Sequence, residues 1–198
     1  MIEKIKEYAK KNNIPIIMDE SFEYINKYAR EKNIKNILEI GTAIGYFACA
    51  ISTDNDVFIT TIEKNDKMYD AAVSNVNRCK LNDKVNIIHG DALEAELKNK
   101  YDLIFIDAAM GQYIKLFEKY QNNLNDKGVI ICDNMNFHGY INDIENIESR
   151  NLRGLVVRTK RFREFLENNI EFYSEIINIG DGISISKRSD KNETVNNA

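Results

Sequence analysis

Residues 103–113 read LIFIDAAMGQY, and this stretch decides the fold. Leu103, Ile104, Phe105 and Ile106 run without interruption into Asp107. An apolar run of this kind, bounded by polar residues, is how a strand buried on both faces of a parallel sheet reads. A carboxylate at the end of such a strand cannot belong to the core, so Asp107 is expected to hold something.

The same pattern recurs on either side. Strand-like runs occur at 36–41 (NILEIG), 57–63 (VFITTIE), 84–90 (KVNIIHG), 101–107 (YDLIFID) and 128–134 (GVIICDN). Helix-like segments alternate with them: YFACAIST, NDKMYDAAVSNVNRCK, DALEAELKNK and GQYIKLFEKYQNNL. In the second of these, Met68, Ala71, Ala72 and Val76 share one face at helical spacing. Alternating strands and helices predict βαβ units. Near the end, IEFYSEIINIG and GISISKR are separated only by Asp181 with flanking glycines, which signals a hairpin. The expected fold is therefore α/β: a doubly wound, mostly parallel seven-stranded sheet closed by a C-terminal antiparallel hairpin. One domain is expected over 1–188, with the polar stretch 189–198 as a frayed tail.

At 198 residues and 43% hydrophobic composition, the chain can build one full core. Its net charge of −4 gives no global sign of nucleic-acid binding. No apolar run reaches signal-peptide or membrane-spanning length. Cys49, Cys79 and Cys132 are odd in number and unclustered, and read as reduced thiols of a cytoplasmic protein. His89 and His138 are too isolated to suggest a metal cluster.

Ligands of open α/β sheets sit beyond the carboxyl ends of the strands. The first strand ends LEIGTAIGY, where Gly41 and Gly45 allow a tight turn and a close ligand approach. The spacing is not that of a dinucleotide fingerprint. Glu63 ends the second strand and is suited to a ribose diol. Asp91 follows the third strand, where it can read an adenine amino group or cap the next helix. Asp107 ends the fourth strand, and Asp133 with Asn134 the fifth. Neighbouring strands lie about 5 Å apart, so these three side chains can converge. Two carboxylates and an amide carbonyl suit a hard cation such as Mg²⁺.

The blocks ILEIGTAIGYFA, YDLIFIDAAMGQY, GVIICDNMNFHG and IGDGISISK resemble the cation-dependent O-methyltransferases, the group of catechol and caffeoyl-CoA methyltransferases. Within it the chain is most similar to the bacterial tRNA 5-hydroxyuridine methyltransferases, which make 5-methoxyuridine at the wobble position. The likeness runs from about Tyr8 to Lys187. It implies S-adenosylmethionine as donor, with Ile17, Gly41, Phe47, Glu63 and Asp91 around it. It implies Mg²⁺ on Asp107, Asp133 and Asn134, with Asp107 between ion and donor and catalysis running through these three residues. It also implies a homodimer and the tRNA anticodon loop as partner; a small-molecule catechol-type acceptor is the alternative. Two features depart from the family pattern. The chain starts late, without an N-terminal helical segment of its relatives, and Met110 stands where the family often has a lysine base. Met110 is expected to pack near the transfer pocket and to move no proton.

Residues 150–163, RNLRGLVVRTKRFR, hold six basic residues and no acid. Arg150, Arg153, Arg158 and Lys160 are the candidate RNA contacts, and Phe137 and Tyr140 just before them are candidate stacking platforms. A merely solvated helix face is the other reading of such a run.

Overall fold

The computed structural model describes residues 1–136, 139–142 and 144–189. Helices α1 (Ile2–Lys11) and α2 (Asp19–Glu31) precede the first strand. The βα units that follow are β1 (Asn36–Ile40), α3 (Tyr46–Asp54), β2 (Phe58–Glu63), α4 (Asp66–Cys79) and β3 (Val85–His89). Then come β4 (Tyr101–Ile106), α5 (Tyr113–Tyr120), β5 (Leu124–Cys132), α6 (Arg150–Glu167), β6 (Phe172–Ile177) and β7 (Ile183–Arg188). The strands form one sheet in the order β3-β2-β1-β4-β5-β7-β6. The first five are mutually parallel, and β7 pairs antiparallel with both β5 and β6. The expected architecture, hairpin included, is the observed one.

The apolar runs are buried on both faces because alternate residues feed separate cores. Ile37, Leu103, Phe105, Val129 and Ile131 pack with residues of α1, α2 and α3. Leu38, Ile40, Ile104, Ile106, Ile130 and Cys132 pack with Tyr113, Phe117, Tyr120 and Phe162 on the other side. Helix α3 is apolar nearly all round, and Tyr46 to Ser52 are all buried. Helix α4 begins at Asn65, whose side chain accepts from the Met68 amide at 3.1 Å, and ends at Lys80 in the left-handed region (φ +58°).

One expected helix is absent. Residues 91–100 make a single turn and then run without regular structure to β4. Side chains of the neighbouring segment take the backbone carbonyls that a helix would use. The Tyr120 hydroxyl donates to Ala92, Lys119 Nζ to Leu93, and Asn123 Nδ2 to both Leu97 and Asn99. Leu93, Ala95 and Leu97 then pack on the second core at a spacing of two, which is extended spacing. Residues 190–198 of the expected tail lie outside the described residues. Among the described residues, no helix is long and apolar enough to cross a membrane.

Candidate active site

Three strand ends stay in register one residue past the regular ladder. The Gly41 amide donates to Ile62 at 3.2 Å, Asp107 to Ile40 at 2.9 Å, and Asp133 to Ile106 at 3.2 Å. The tips of β1, β4 and β5 are thus held side by side where the strand order reverses, the usual ligand position in such sheets. From there the chain turns through three positive-φ residues, Gly41 (+99°), Ala43 (+46°) and Gly45 (+76°), into α3. At Gly45 a Cβ would press on Ala72 of α4 at 3.2 Å, so the turn also packs closely.

A cleft of about 210 Å³ opens beside this turn, with Gly41, Glu63, Gly90, Asp91, Ala108 and Gln112 in its wall. Glu63 Oε2 accepts from the Ala43 amide and Oε1 from the Asn65 amide, each at 2.8 Å. These bonds hold the carboxylate at the cleft, and its remaining lone pairs can take a ribose diol. Asp91 Oδ1 accepts from the Leu93 amide at 2.8 Å, so it caps a single turn, while Oδ2 lies 3.7 Å from Lys64 Nζ. Ile17 and Phe47 are in the core beneath. The Phe47 ring stands 4.5 Å from that of Phe105 and 6.2 Å from that of Phe22. What the Phe47 position presents to a ligand is therefore backbone. A roomier hollow of about 430 Å³ by Asn36, Phe58 and Tyr101 lies where the strands begin, the wrong end of an α/β sheet for a ligand.

Asp107, Asp133 and Asn134 do come together. Asn134 Nδ2 donates to Asp107 Oδ1 at 3.2 Å. Asn134 adopts φ +61°, a conformation asparagine tolerates better than most residues and one that strained functional positions use. Burial, then the charge of Asp133, pushes the Asp107 carboxyl up to about 7, with the Asn134 amide opposing. Burial, then the charge of Asp181, raises Asp133 to about 6, against the pull of the Asn134 backbone amide. Asp133 Oδ1 is buried and has no hydrogen-bond partner among the described residues. Two repelling carboxylates, one with an orphaned oxygen, fit a cation. Among the described residues no three His, Cys, Asp or Glu side chains gather as a metal site, so a cation here would be held by the two carboxylates and the amide oxygen. That all-oxygen set suits Mg²⁺ with positions left for other ligands. Met110 is 7% exposed and packs in the second core.

The basic stretch forms α6, begun by Ser149 Oγ accepting from the Leu152 amide. At 3.6 residues per turn, Arg150, Arg153 and Arg161 project from one exposed side, with Arg158 and Lys160 flanking it. Arg158 lies over Gly111, where a Cβ would stand 3.4 Å from its Cδ, beside the segment that follows Asp107. Two of the six serve the fold. Arg153 Nη2 donates to the Ile147 carbonyl at 2.6 Å, and Arg163 Nη1 to the Met135 carbonyl at 3.4 Å. Tyr140 is 40% exposed; Phe137 lies outside the described residues.

Sequence reasoning missed three residues here. Asp181 is buried beside Asp133 and was read only as a turn residue between glycines. Tyr113 is fully buried, and burial, then the charge of Asp107, pushes its hydroxyl well above the ordinary range. Glu39 is buried in β1 beneath the glycine turn, and a charge inside the run NILEI was the available signal.

The chain matches the O-methyltransferase family profile over residues 1–189. It is 38% identical to a provisionally named caffeoyl-CoA O-methyltransferase from Staphylococcus aureus, with a TM-score of 0.91 and coverage of 95% of this chain and 92% of that one. An O-methyltransferase from Bacillus cereus, solved with S-adenosylhomocysteine, is 26% identical with a TM-score of 0.80 over 95% and 90% of the two chains. Tapetum-specific methyltransferase 1 of Arabidopsis thaliana is 27% identical over 93% of this chain and 82% of its own length. With the strand-end glycine turn and the acids around it, these matches show that the chain belongs to the O-methyltransferase family.

Proposed function

We propose that the protein transfers a methyl group from S-adenosylmethionine to the 5-hydroxyl of 5-hydroxyuridine at the tRNA wobble position, with Mg²⁺, giving 5-methoxyuridine. The observation that carries the RNA reading is the basic side of α6, whose Arg158 rests on Gly111 next to the strand end that holds Asp107. The motif resemblance supports the acceptor, and the Bacillus cereus complex supports the donor.

In the transfer, the acceptor oxygen bonds to the methyl carbon as the sulfur–carbon bond breaks. S-adenosylhomocysteine is released, and the hydroxyl proton passes to water. Glu63 takes the ribose hydroxyls of the donor, Asp91 lies on its adenine side, and the backbone of the Gly41 turn follows the donor between them. Asp107 would stand between the donor and the cation, as one of the cation's ligands. A divalent cation bound to Asp107, Asp133 and Asn134 supplies Lewis-acid chemistry, lowering the pKa of a hydroxyl beside a second oxygen. The 5-hydroxyl and 4-carbonyl of 5-hydroxyuridine are such a pair. Holding both partners in line can supply on the order of 7–11 kcal/mol of the barrier. Met110 offers no base, so positioning and acidification carry the chemistry.

A second reading, a small-molecule acceptor of the caffeoyl-CoA or catechol type, is favoured by the names of the relatives. Such an acceptor also presents two adjacent oxygens. One experiment separates them: 5-hydroxyuridine-containing tRNA and a free catechol are offered in parallel with donor and Mg²⁺. Mass spectrometry of the wobble nucleoside should show the gain of one methyl. Catechol turnover without that gain would establish the second reading. The active species is proposed to be a homodimer, which light scattering of the purified protein tests.

A further inference from the structure

A second hollow beyond the strand ends, of about 430 Å³, has Met18, Asn136, Ile141, Asn178 and Gly180 in its wall. The strand order sets it apart from the donor cleft. The cleft is built on the tips of β3, β2, β1 and β4, and the hollow on the chain leaving β5 and on the turn between β6 and β7. Asp107 at the tip of β4 and Asp133 at the tip of β5 stand between them in that order. On the proposed function, an acceptor that meets both the cation and the donor methyl has this hollow to sit in.

Its wall is held by backbone bonds. The Met135 amide donates to the Gly182 carbonyl at 2.9 Å and the Asn136 amide to the Asp181 carbonyl at 2.7 Å. A Cβ on Gly182 would stand 2.7 Å from Asn136 Cγ, so the glycine lets this side chain lie over the turn. Asn136 Nδ2 donates in turn to Asn178 Oδ1 at 3.0 Å. Asn136 is half-buried and Asn178 exposed, so the tied pair runs from the strand end toward solvent. Their mutual bond leaves the Asn136 oxygen as an acceptor and the Asn178 nitrogen as a donor.

That order matches one edge of a uracil. With the 5-hydroxyl and 4-carbonyl at the cation, the ring continues with N3–H, a donor, and then O2, an acceptor. The wall continues from Asn134 to Asn136 to Asn178. A catechol has only C–H groups at those places and would leave both amides unpaired, the situation in which a polar site rejects an analogue most strongly. We infer that Asn136 and Asn178 determine acceptor specificity, the Asn136 oxygen accepting from N3–H and Asn178 Nδ2 donating to O2 of a uracil base. The inference rests on the proposed function and its cation site.

The test offers a synthetic anticodon stem-loop RNA carrying 5-hydroxyuridine, or the same RNA methylated at N3 of that base, with donor and Mg²⁺. Wild type, Asn136→Ala and Asn178→Asp are compared by kcat/KM for the methyl gain. N3-methylation should lower the wild-type value about 10-fold or more, because the Asn136 acceptor loses its partner. Asn136→Ala should already be about 10-fold poorer on the parent RNA, and N3-methylation should then cost it little, since the two changes remove the same contact. Asn178→Asp keeps an oxygen for the Asn136 N–H but puts an acceptor where O2 needs a donor, so its KM for the parent RNA should rise about 10-fold. Melting temperature and affinity for S-adenosylhomocysteine should stay at wild-type values in both variants. Equal wild-type turnover of the two RNAs would overturn the inference. So would an N3-methyl penalty of the same size in Asn136→Ala, unaltered kinetics of Asn178→Asp, or variants that lose donor affinity or melt early, which would make the pair a folding contact. Wild type that leaves the parent RNA unmethylated while turning over catechol would remove the proposed acceptor, and this inference with it.

Discussion

The Cα of Gly41 is pressed against the Asp107 carbonyl, so closely that any Cβ at position 41 would overlap that oxygen. Gly41 also has φ +99°, where side chains are rare. The glycine turn after β1 and the strand end that carries Asp107 therefore share one backbone contact. Gly41→Ala must move one strand tip off the other. It should destabilise the protein by at least about 2 kcal/mol and weaken donor and Mg²⁺ binding together. Urea denaturation and two titrations check this; donor affinity lost alone would mean that the tips move independently.

Glu63 and Asp133 should separate what Gly41 joins. Glu63→Ala removes a carboxylate from the donor cleft and is expected to weaken donor binding by roughly 1–3 kcal/mol, leaving Mg²⁺ affinity near wild type. Asp133→Ala should do the reverse and abolish turnover. Calorimetry with each ligand decides the assignment, and donor affinity lost in Asp133→Ala would reverse it. Asp107→Ala is expected to impair both.

The basic side of α6 should be tested without the arginines that hold the fold. Arg153 and Arg163 each donate to a backbone carbonyl, so the informative triple change neutralises Arg150, Arg158 and Lys160. The KM for tRNA should rise and its salt dependence flatten, because fewer counterions are released on binding. Methylation of a free 5-hydroxyuridine nucleoside and the melting temperature should hardly move. Unaltered tRNA kinetics across a salt series would make this side of the helix a solvated face.

Glu39 predicts a pH dependence. Burial, only partly offset by the Thr61 hydroxyl, pushes its carboxyl well above the ordinary range. An unfolded glutamate titrates near about 4.3. Between that value and the folded one, the native state holds a proton that the unfolded state has released, so stability falls as pH rises. Glu39→Gln removes this slope. Its advantage over wild type should be small near pH 4 and should grow toward neutral pH. A constant difference across that range, measured by urea denaturation, would show Glu39 ionised in the folded protein.

The parallel sheet was readable because each strand is a short apolar run ending in a glycine or an acid, and burial on both faces leaves no other pattern. The ends of those runs named Gly41, Glu63, Asp107, Asp133 and Asn134, and all five stand at one edge of the sheet. The segment 91–100 misled because its apolar residues fit helical periodicity as well as extended spacing. What decided the matter was the Tyr120, Lys119 and Asn123 side chains, twenty or more residues away in sequence. Arg153 and Arg163 were indistinguishable from their neighbours for a similar reason. A charge run says nothing about which members find a carbonyl. Asp181 and Tyr113 stayed hidden because a hairpin and a helix face already explained them.

The left-handed Asn134 and the paired acids beside it have a bearing on how much protein a cell keeps. Both lower the stability of the metal-free chain, by about 1–3 kcal/mol for the backbone conformation alone. A ligand that binds only the folded form returns stability as the logarithm of its concentration over its Kd. On the proposed function, cation and donor supply would then set the folded fraction that escapes proteolysis as well as the rate of methylation. Starved of either, the enzyme would decline in abundance before any regulator acted on it.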